Sequence, residues 1–394
     1  MASILTLDGL YAEVPKFLPE ALREGCAGKN PLCFYIQQIL YLLGCVGIEY
    51  HVLFTSSSEE ANTHMFMAAV RRHLLRTQQR PHVIIGAGEP PTITECVQAL
   101  AQEKRCVYTI IPLQNFAIHP VAVYDAIQSN TCLPCISGTN AVVKTFNKLQ
   151  DITKVLRGIP LHSEVCVLVY QGCIIQNPPA VTFSIYTLYG FLGVGILGMQ
   201  KKVMQGLGPL IFGGGLRGGS PIIPGIHAMY TTLSQQRPSM QKIYTIHMLF
   251  MQTLQKHQHV YLPIRGVSAE DMSTKDMSTK DIPSTVMLVG PKGLPGYILF
   301  TVGHRAVELQ KKIFTIFIIQ IGRIVVLQEI LFRIKIPQKY WETLLFIQLR
   351  DILSKEDIQR VMVVLLHLHT ITPRGSLPPP SYSSSFSLTF LFVL

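Results

Sequence analysis

Apolar and polar positions follow two alternating rhythms through the first 160 residues. Gly47 to Thr55 (G-I-E-Y-H-V-L-F-T) is rich in β-branched and aromatic residues and stops at a serine-rich turn, which predicts a strand. Ser58 to Arg76 then carries apolar residues at helical spacing, among them Met65, Ala68, Ala69 and Leu75, and predicts a helix. The same alternation continues: strand over His82 to Ile85, helix over Ile93 to Gln102, strand over Cys106 to Ile111. Helix over Val121 to Gln128, strand over Leu133 to Ser137 and helix over Leu149 to Leu156 complete the series. Strands separated by helices require right-handed crossovers, so the pattern predicts an α/β domain built on a mainly parallel sheet.

The character changes near residue 235. Asp271 to Lys275 and Asp276 to Lys280 are a tandem D-M-S-T-K, expected to form a solvated loop of variable length. From Ser376 the chain becomes a Pro/Ser-rich tail with an apolar end, expected to be disordered or loosely docked. The expected division is a large domain over 1–235, a smaller α+β domain over 236–375 and a tail over 376–394.

Composition narrows the class. The hydrophobic fraction of 48% is high, yet the longest apolar run, Ile313 to Ile321, meets Gly322 and Arg323 before it could span a bilayer. The first residues, M-A-S-I-L-T-L-D-G, lack the basic flank and apolar core of a signal peptide, so a cytosolic protein is expected. The net charge of +11 is not gathered into a basic stripe with interleaved aromatics, and no nucleic-acid module is expected. Arg71-Arg72 and Lys201-Lys202 read as solvated faces.

All nine cysteines lie between Cys26 and Cys173 in largely apolar surroundings, which points to reduced, buried thiols. Cys132-Leu133-Pro134-Cys135 has C-x-x-C spacing, but two ligands do not complete a zinc site. His257-Gln258-His259 and His367-Leu368-His369 lack a further ligand type nearby, so no metal is expected. Gly193 to Gly198 fits G-x-G-x-x-G, but no acidic residue about twenty positions on completes a dinucleotide site.

Candidate chemistry lies in segments that keep a definite order. Thr55-Ser56-Ser57-Ser58-Glu59-Glu60-Ala61-Asn62 opens the first long helix, where backbone N–H groups and the helix dipole suit a phosphate. An ordinary capping box, Ser56-x-x-Glu59 or Ser57-x-x-Glu60, explains the same residues. Glu89-Pro90, Gly138-Thr139-Asn140-Ala141 and Leu161-His162-Ser163-Glu164 each follow or form a strand. Thr182 to Gly195 reads T-F-S-I-Y-T-L-Y-G-F-L-G-V-G, and Gly213 to Ile226 is a glycine-rich stretch containing Arg217 and Ser220.

Together these segments resemble the class V aminotransferases and NifS-type cysteine desulfurases, over a little under half of the chain. The resemblance implies the fold-type I transferase architecture and pyridoxal 5′-phosphate (PLP) as cofactor. It implies that the turn at Ser58 and Glu59 holds the cofactor phosphate, with Glu59 replacing a threonine and weakening that hold. It implies that Asn140 contacts the ring and that Glu164, in place of an aspartate, pairs with the pyridinium nitrogen, although a solvated strand-end carboxylate explains Glu164 equally well. Ser184 stands at the family's serine, Tyr186 at its histidine, and Ser220 at a threonine that reaches the phosphate in a partner subunit. A homodimer is therefore implied.

Three departures bear on activity. Thr187 stands where the Schiff-base lysine belongs, and a hydroxyl cannot form an imine. Pro90 stands where the ring-stacking histidine belongs, and the chain has no cysteine beyond Cys173 to carry a persulfide. The expectation is a PLP site that binds the cofactor noncovalently at most, without desulfurase activity. A non-enzymatic binding or regulatory protein on the same scaffold is the alternative. If the nucleophile has moved rather than vanished, Lys201 or Lys202 would be the place to find it.

Overall fold

The computed structural model describes residues 32–42, 45, 49–140, 142–143, 145–165, 179–184, 193–235 and 240–256, and short strands at 287–288, 297–301, 320–323 and 344–348. Helix α1 (Leu32–Leu42) precedes strand β1 (Tyr50–Thr55) and the 20-residue helix α2 (Ser58–Thr77). Then come β2 (His82–Gly86), α3 (Pro91–Gln102), β3 (Val107–Ile111), α4 (Pro120–Asp125), β4 (Thr131–Cys135) and α5 (Leu149–Val155). Strands β5 (His162–Val165), β6 (Ala180–Ser184) and β7 (Gly195–Gln200) follow, then α6 (Lys201–Met204), α7 (Ile223–Gln235) and α8 (Met240–Lys256).

These strands form one seven-stranded sheet in the order β1-β7-β6-β5-β4-β2-β3. The pairings from β3 through β6 are parallel, while β7 runs antiparallel to both β6 and β1. The expected mainly parallel α/β sheet is therefore present. A second, antiparallel sheet has the order β10-β11-β9-β8, from β8 (Met287–Leu288), β9 (Tyr297–Thr301), β10 (Gln320–Arg323) and β11 (Leu344–Gln348). The D-M-S-T-K repeat, both H-x-H strings and the tail lie outside the described residues.

Alternation along the central strands divides the core between the two faces of the sheet. Val83 and Ile85 of β2 point to the face covered by α2 and α3, with Met65, Phe66, Ala69, Val97 and Leu133 in one cluster. Ile84 points the other way, to Val123 of α4 and Ile152 of α5. On the β1–β7 side, Tyr35 and Ile39 of α1 pack with Ile226 and Met229 of α7 against Val181 and Ile196. Helices on both faces bury β2 completely, as a parallel sheet requires.

Several boundaries differ from the sequence reading for local reasons. The helix expected over Val121 to Gln128 stops at Asp125, and the Gln128 N–H turns to the Thr131 hydroxyl (2.7 Å). The strand expected over Leu133 to Ser137 runs from Thr131 to Cys135, because the Ser137 N–H leaves the ladder for Glu89 (2.9 Å). Gly193 and Val194 turn into β7, and Gly195 to Gly198 are its first four residues, so the stretch forms no dinucleotide loop. Cys132 and Cys135 lie on β4 and are not joined in a disulfide, and burial pushes the Cys132 thiol up to about 12.

Phe66 is fully buried where α2 crosses the sheet, whereas Leu75 near the end of the same helix is 68% exposed. Phe66→Ala should cost about 3–5 kcal/mol and Leu75→Ala no more than about 0.5 kcal/mol in urea unfolding. Equal losses at the two positions would contradict this placement of α2.

Candidate functional site

The carboxyl ends of the parallel strands and the start of α2 lie along one edge of the sheet. Ser57 caps α2 in an extended conformation, and its hydroxyl accepts the Glu60 N–H (3.4 Å). Glu60 reaches back and accepts from the Ser56 N–H (2.7 Å) and hydroxyl (2.8 Å). The arrangement is close to the capping box Ser57-x-x-Glu60, shifted by one donor. Arg217, from the glycine-rich stretch, donates to both Glu60 oxygens (2.5 and 3.3 Å). Burial raises the Glu60 carboxyl, but Arg217 and the Ser56 donors outweigh it and hold the group below its ordinary range.

Ser58 is buried in the first turn, its hydroxyl 3.4 Å from a Glu59 oxygen. The other Glu59 oxygen is buried and has no hydrogen-bond partner among the described residues. The turn expected to hold a phosphate thus carries two carboxylates. One is neutralised by Arg217, and the other has an unpartnered oxygen beside the positive end of the helix.

The strand order reverses between β2 and β4, since β3 lies outside β2 and the chain then returns to β4. The crevice beyond such a reversal is where open α/β sheets bind ligands. Here the two loops are tied together across it. The Glu89 carboxylate, from the loop after β2, accepts the Ser137 N–H (2.9 Å) and hydroxyl (2.5 Å). The Asn140 carbonyl oxygen accepts the Val142 and Val143 N–H groups (2.8 and 3.0 Å), which folds its own loop. Its amide nitrogen is buried without a partner among the described residues, close against Gly88. A Cβ at Gly88 would lie 2.4 Å from that nitrogen, so only glycine admits Asn140 here.

Beyond this crevice β5 and β6 run side by side, with Glu164 opposite Thr182 in the register and Ser184 opposite Gly195 of β7. A Cβ at Gly195 would lie 2.3 Å from the Ser57 carbonyl carbon, which brings the ends of β6 and β7 directly under the α2 cap. Ser58, Glu59, Asn140, Glu164 and Ser184 therefore lie along one edge. Ser220 is exposed, three residues from the Arg217 anchor. Tyr186 and Thr187 lie outside the described residues. Lys201 and Lys202 follow β7 at the opposite edge, about 20 Å away for a strand of this length, and cannot serve this site.

No local motif singles out His162, yet it organises the edge from below. It is fully buried on β5, and its Nε2 donates to the Asn62 carbonyl oxygen (2.8 Å), with the Thr182 hydroxyl 3.2 Å from the same nitrogen. The Phe66 ring meets it edge-on at 6.2 Å. Asn62 and His162 both stood in the quoted segments, but their pairing joins residues 100 apart and had no local signal.

No protein-family model matches the chain. It is 89% identical over 387 residues to the NifS-like protein of African swine fever virus from a South African tick isolate, covering 98% of this chain and 100% of that protein. It is 78% identical to the NifS-like protein of a Kenyan pig isolate over the same shares. The chain belongs to the NifS-like protein family of African swine fever virus. The mitosomal cysteine desulfurase of Encephalitozoon cuniculi is 27% identical over 201 residues, which cover 48% of this chain and 46% of that protein.

Solved structures share the fold. A NifS-like protein superposes with a TM-score of 0.71 at 16% identity, covering 92% of this chain and 97% of its own. The Escherichia coli cysteine desulfurase CsdA gives 0.70 at 13%, covering 92% and 94%. This viral chain has the fold-type I architecture of PLP-dependent transferases, as the resemblance implied.

Burial holds His162 neutral, its pKa pushed down to about 3. Between that value and the ordinary 6.5, the unfolded chain binds a proton that the native state refuses. Its contribution is therefore complete above about pH 6.5 and declines as pH falls towards 3, by about 1.4 kcal/mol per pH unit. His162→Gln should remove that share of the slope in urea unfolding between pH 7.5 and 5. His64 and His82, also lowered by burial, retain theirs. An unchanged slope would assign the acid sensitivity elsewhere.

Proposed function

We propose that this NifS-like chain is a class V aminotransferase homologue with a degenerate PLP site and no cysteine desulfurase activity. Thr187 in the place of the Schiff-base lysine carries the reading. The donor set at the start of α2 supports it. The Ser56 donors and Arg217 are engaged by Glu60, and an unpartnered Glu59 oxygen adds negative charge where a phosphate would sit. These residues do not fit a covalently held cofactor, and they favour weak, noncovalent binding at most. The ring contacts expected from Asn140 and Glu164 are part of the same proposal. Asn140 is committed to its own loop and to Gly88.

A second reading is favoured by the closed crevice between β2 and β4: a binding or regulatory protein that uses the fold as a scaffold. Its assembly is proposed to be a homodimer. The loop between α6 and α7 presents Ile211, Phe212 and Ile222 at 40%, 71% and 47% exposure, beside exposed Ser220. That loop is tethered to α2 through Arg217 and Glu60. We place the boundary between the large and small domains near residue 235, at the end of α7.

Titration of the full chain with PLP, followed by its visible absorbance, should show no internal aldimine, and borohydride should trap no adduct at the carboxyl edge. Thr187→Lys should create the aldimine band if the pocket is otherwise competent. Cysteine should yield no sulfide above a protein-free control. Sulfide release by the wild-type chain would overturn the proposal.

Sedimentation should report a dimer, and Phe212→Asp should shift it towards monomer by burying a charge at the contact. A monomeric wild-type chain would remove the basis for assigning Ser220 to a shared site.

A further inference from the structure

The opposite edge of the sheet holds a cavity of about 450 Å³, within the range of small-molecule sites. It opens where α2 ends and where β4 and β6 begin. Arg72, His73, Arg76 and Lys202 line it, with Ile159 and Pro179 among its apolar walls. No carboxylate lines it among the described residues. Nearby, Lys201 pairs with Glu49 at 2.9 Å, and at the other edge Arg217 pairs with Glu60 at 2.5 Å. Among the described residues, Arg72, Arg76 and Lys202 have no ion-pair partner.

The Arg72 guanidinium is fixed in the wall, donating to the Val203 and Gln205 carbonyls at 2.7 and 3.3 Å. Arg76 passes over Gly206, where a Cβ would lie 2.7 Å from its Nη2. The His73 Nε2 is buried without a hydrogen-bond partner among the described residues. The carboxyl end of α2 supplies roughly half a negative charge, which leaves most of three positive charges uncompensated. A cleft lined by one sign of charge concentrates the opposite ion.

We propose that this cavity binds a small phosphate monoester, with its dianionic head between Arg76 and Lys202 and its organic body against Ile159 and Pro179. Guanidinium groups match the paired oxygens of a phosphate, and a dianion answers the excess charge better than a carboxylate does. The site is independent of the PLP-type edge. Along α2, Ser58 at one edge lies about 20 Å from Arg72 in the cavity wall.

Isothermal titration of the full chain with phenyl phosphate tests this directly. One site should bind, more weakly as salt rises. Arg76→Gln combined with Lys202→Gln should lower affinity at least tenfold without moving the ligand-free melting temperature, since both side chains are on the surface. Ser58→Ala at the other edge should leave binding unchanged. Equal binding by the double variant, loss of binding in Ser58→Ala, equal binding of phenol, or no binding at millimolar probe would each overturn the assignment.

Discussion

A Cβ on Gly195 would stand 2.3 Å from the Ser57 carbonyl carbon and 2.7 Å from the Thr55 hydroxyl, so α2 can start where it does only because β7 begins with glycine. That contact sets the height of the helix over the sheet, and the rest of the edge follows from it. Asn62, one turn into α2, reaches His162 on β5, and Phe66, a turn further, covers the imidazole. Beyond Phe66 the helix becomes an ordinary core element, with Ala69 and Val70 against the sheet. A bulkier residue at 195 would lift the helix start and strain the buried Asn62–His162 bond. That bond counts for more than one at the surface, because both partners are fully buried.

What could be read from the sequence divides along physical lines. Elements from β1 to α5 announce themselves by local rhythm, and their boundaries fall within a few residues of expectation. Strand β5 has little local signal, because a four-residue strand carrying histidine and glutamate has too little alternation to stand out. Strand β7 was hidden by its glycines, which look like a loop until the backbone of Ser57 is seen pressed against Gly195. The site was legible as an ordered series of segments, and Ser58, Glu59, Asn140, Glu164 and Ser184 do share an edge. The ties that give the edge its character, Glu60 to Arg217 and Glu89 to Ser137, span 157 and 48 residues. No periodicity reports contacts at such separations.

Glu89 has a structural part that its local sequence does not announce. In the family resemblance it is only the neighbour of position 90, where proline stands in place of a ring-stacking histidine. In the fold that glutamate is buried and joins the loops after β2 and β4 across the point where the strand order reverses. Asn140 makes the same junction from the other side by closing on Gly88. The crevice at this reversal is spanned by the chain's own polar groups, with the Glu89 carboxylate satisfied by Ser137.

The start of α2 carries the same logic into electrostatics. A helix N-terminus leaves N–H groups and positive potential that must be answered by solvent, a side chain or an anion. A protein that relies on a bound anion is stabilised in proportion to its occupancy and loses that stability when the ligand leaves. In this chain the Ser57 hydroxyl takes the Glu60 N–H, and Glu60 itself takes the Ser56 N–H. The carboxylate is anchored in turn by Arg217, drawn in from the glycine-rich stretch. The negative charge that the helix requires is therefore covalently part of the helix. The Ser57 hydroxyl and the Glu60–Arg217 pair thus answer part of the helix's N-terminal potential from within the chain.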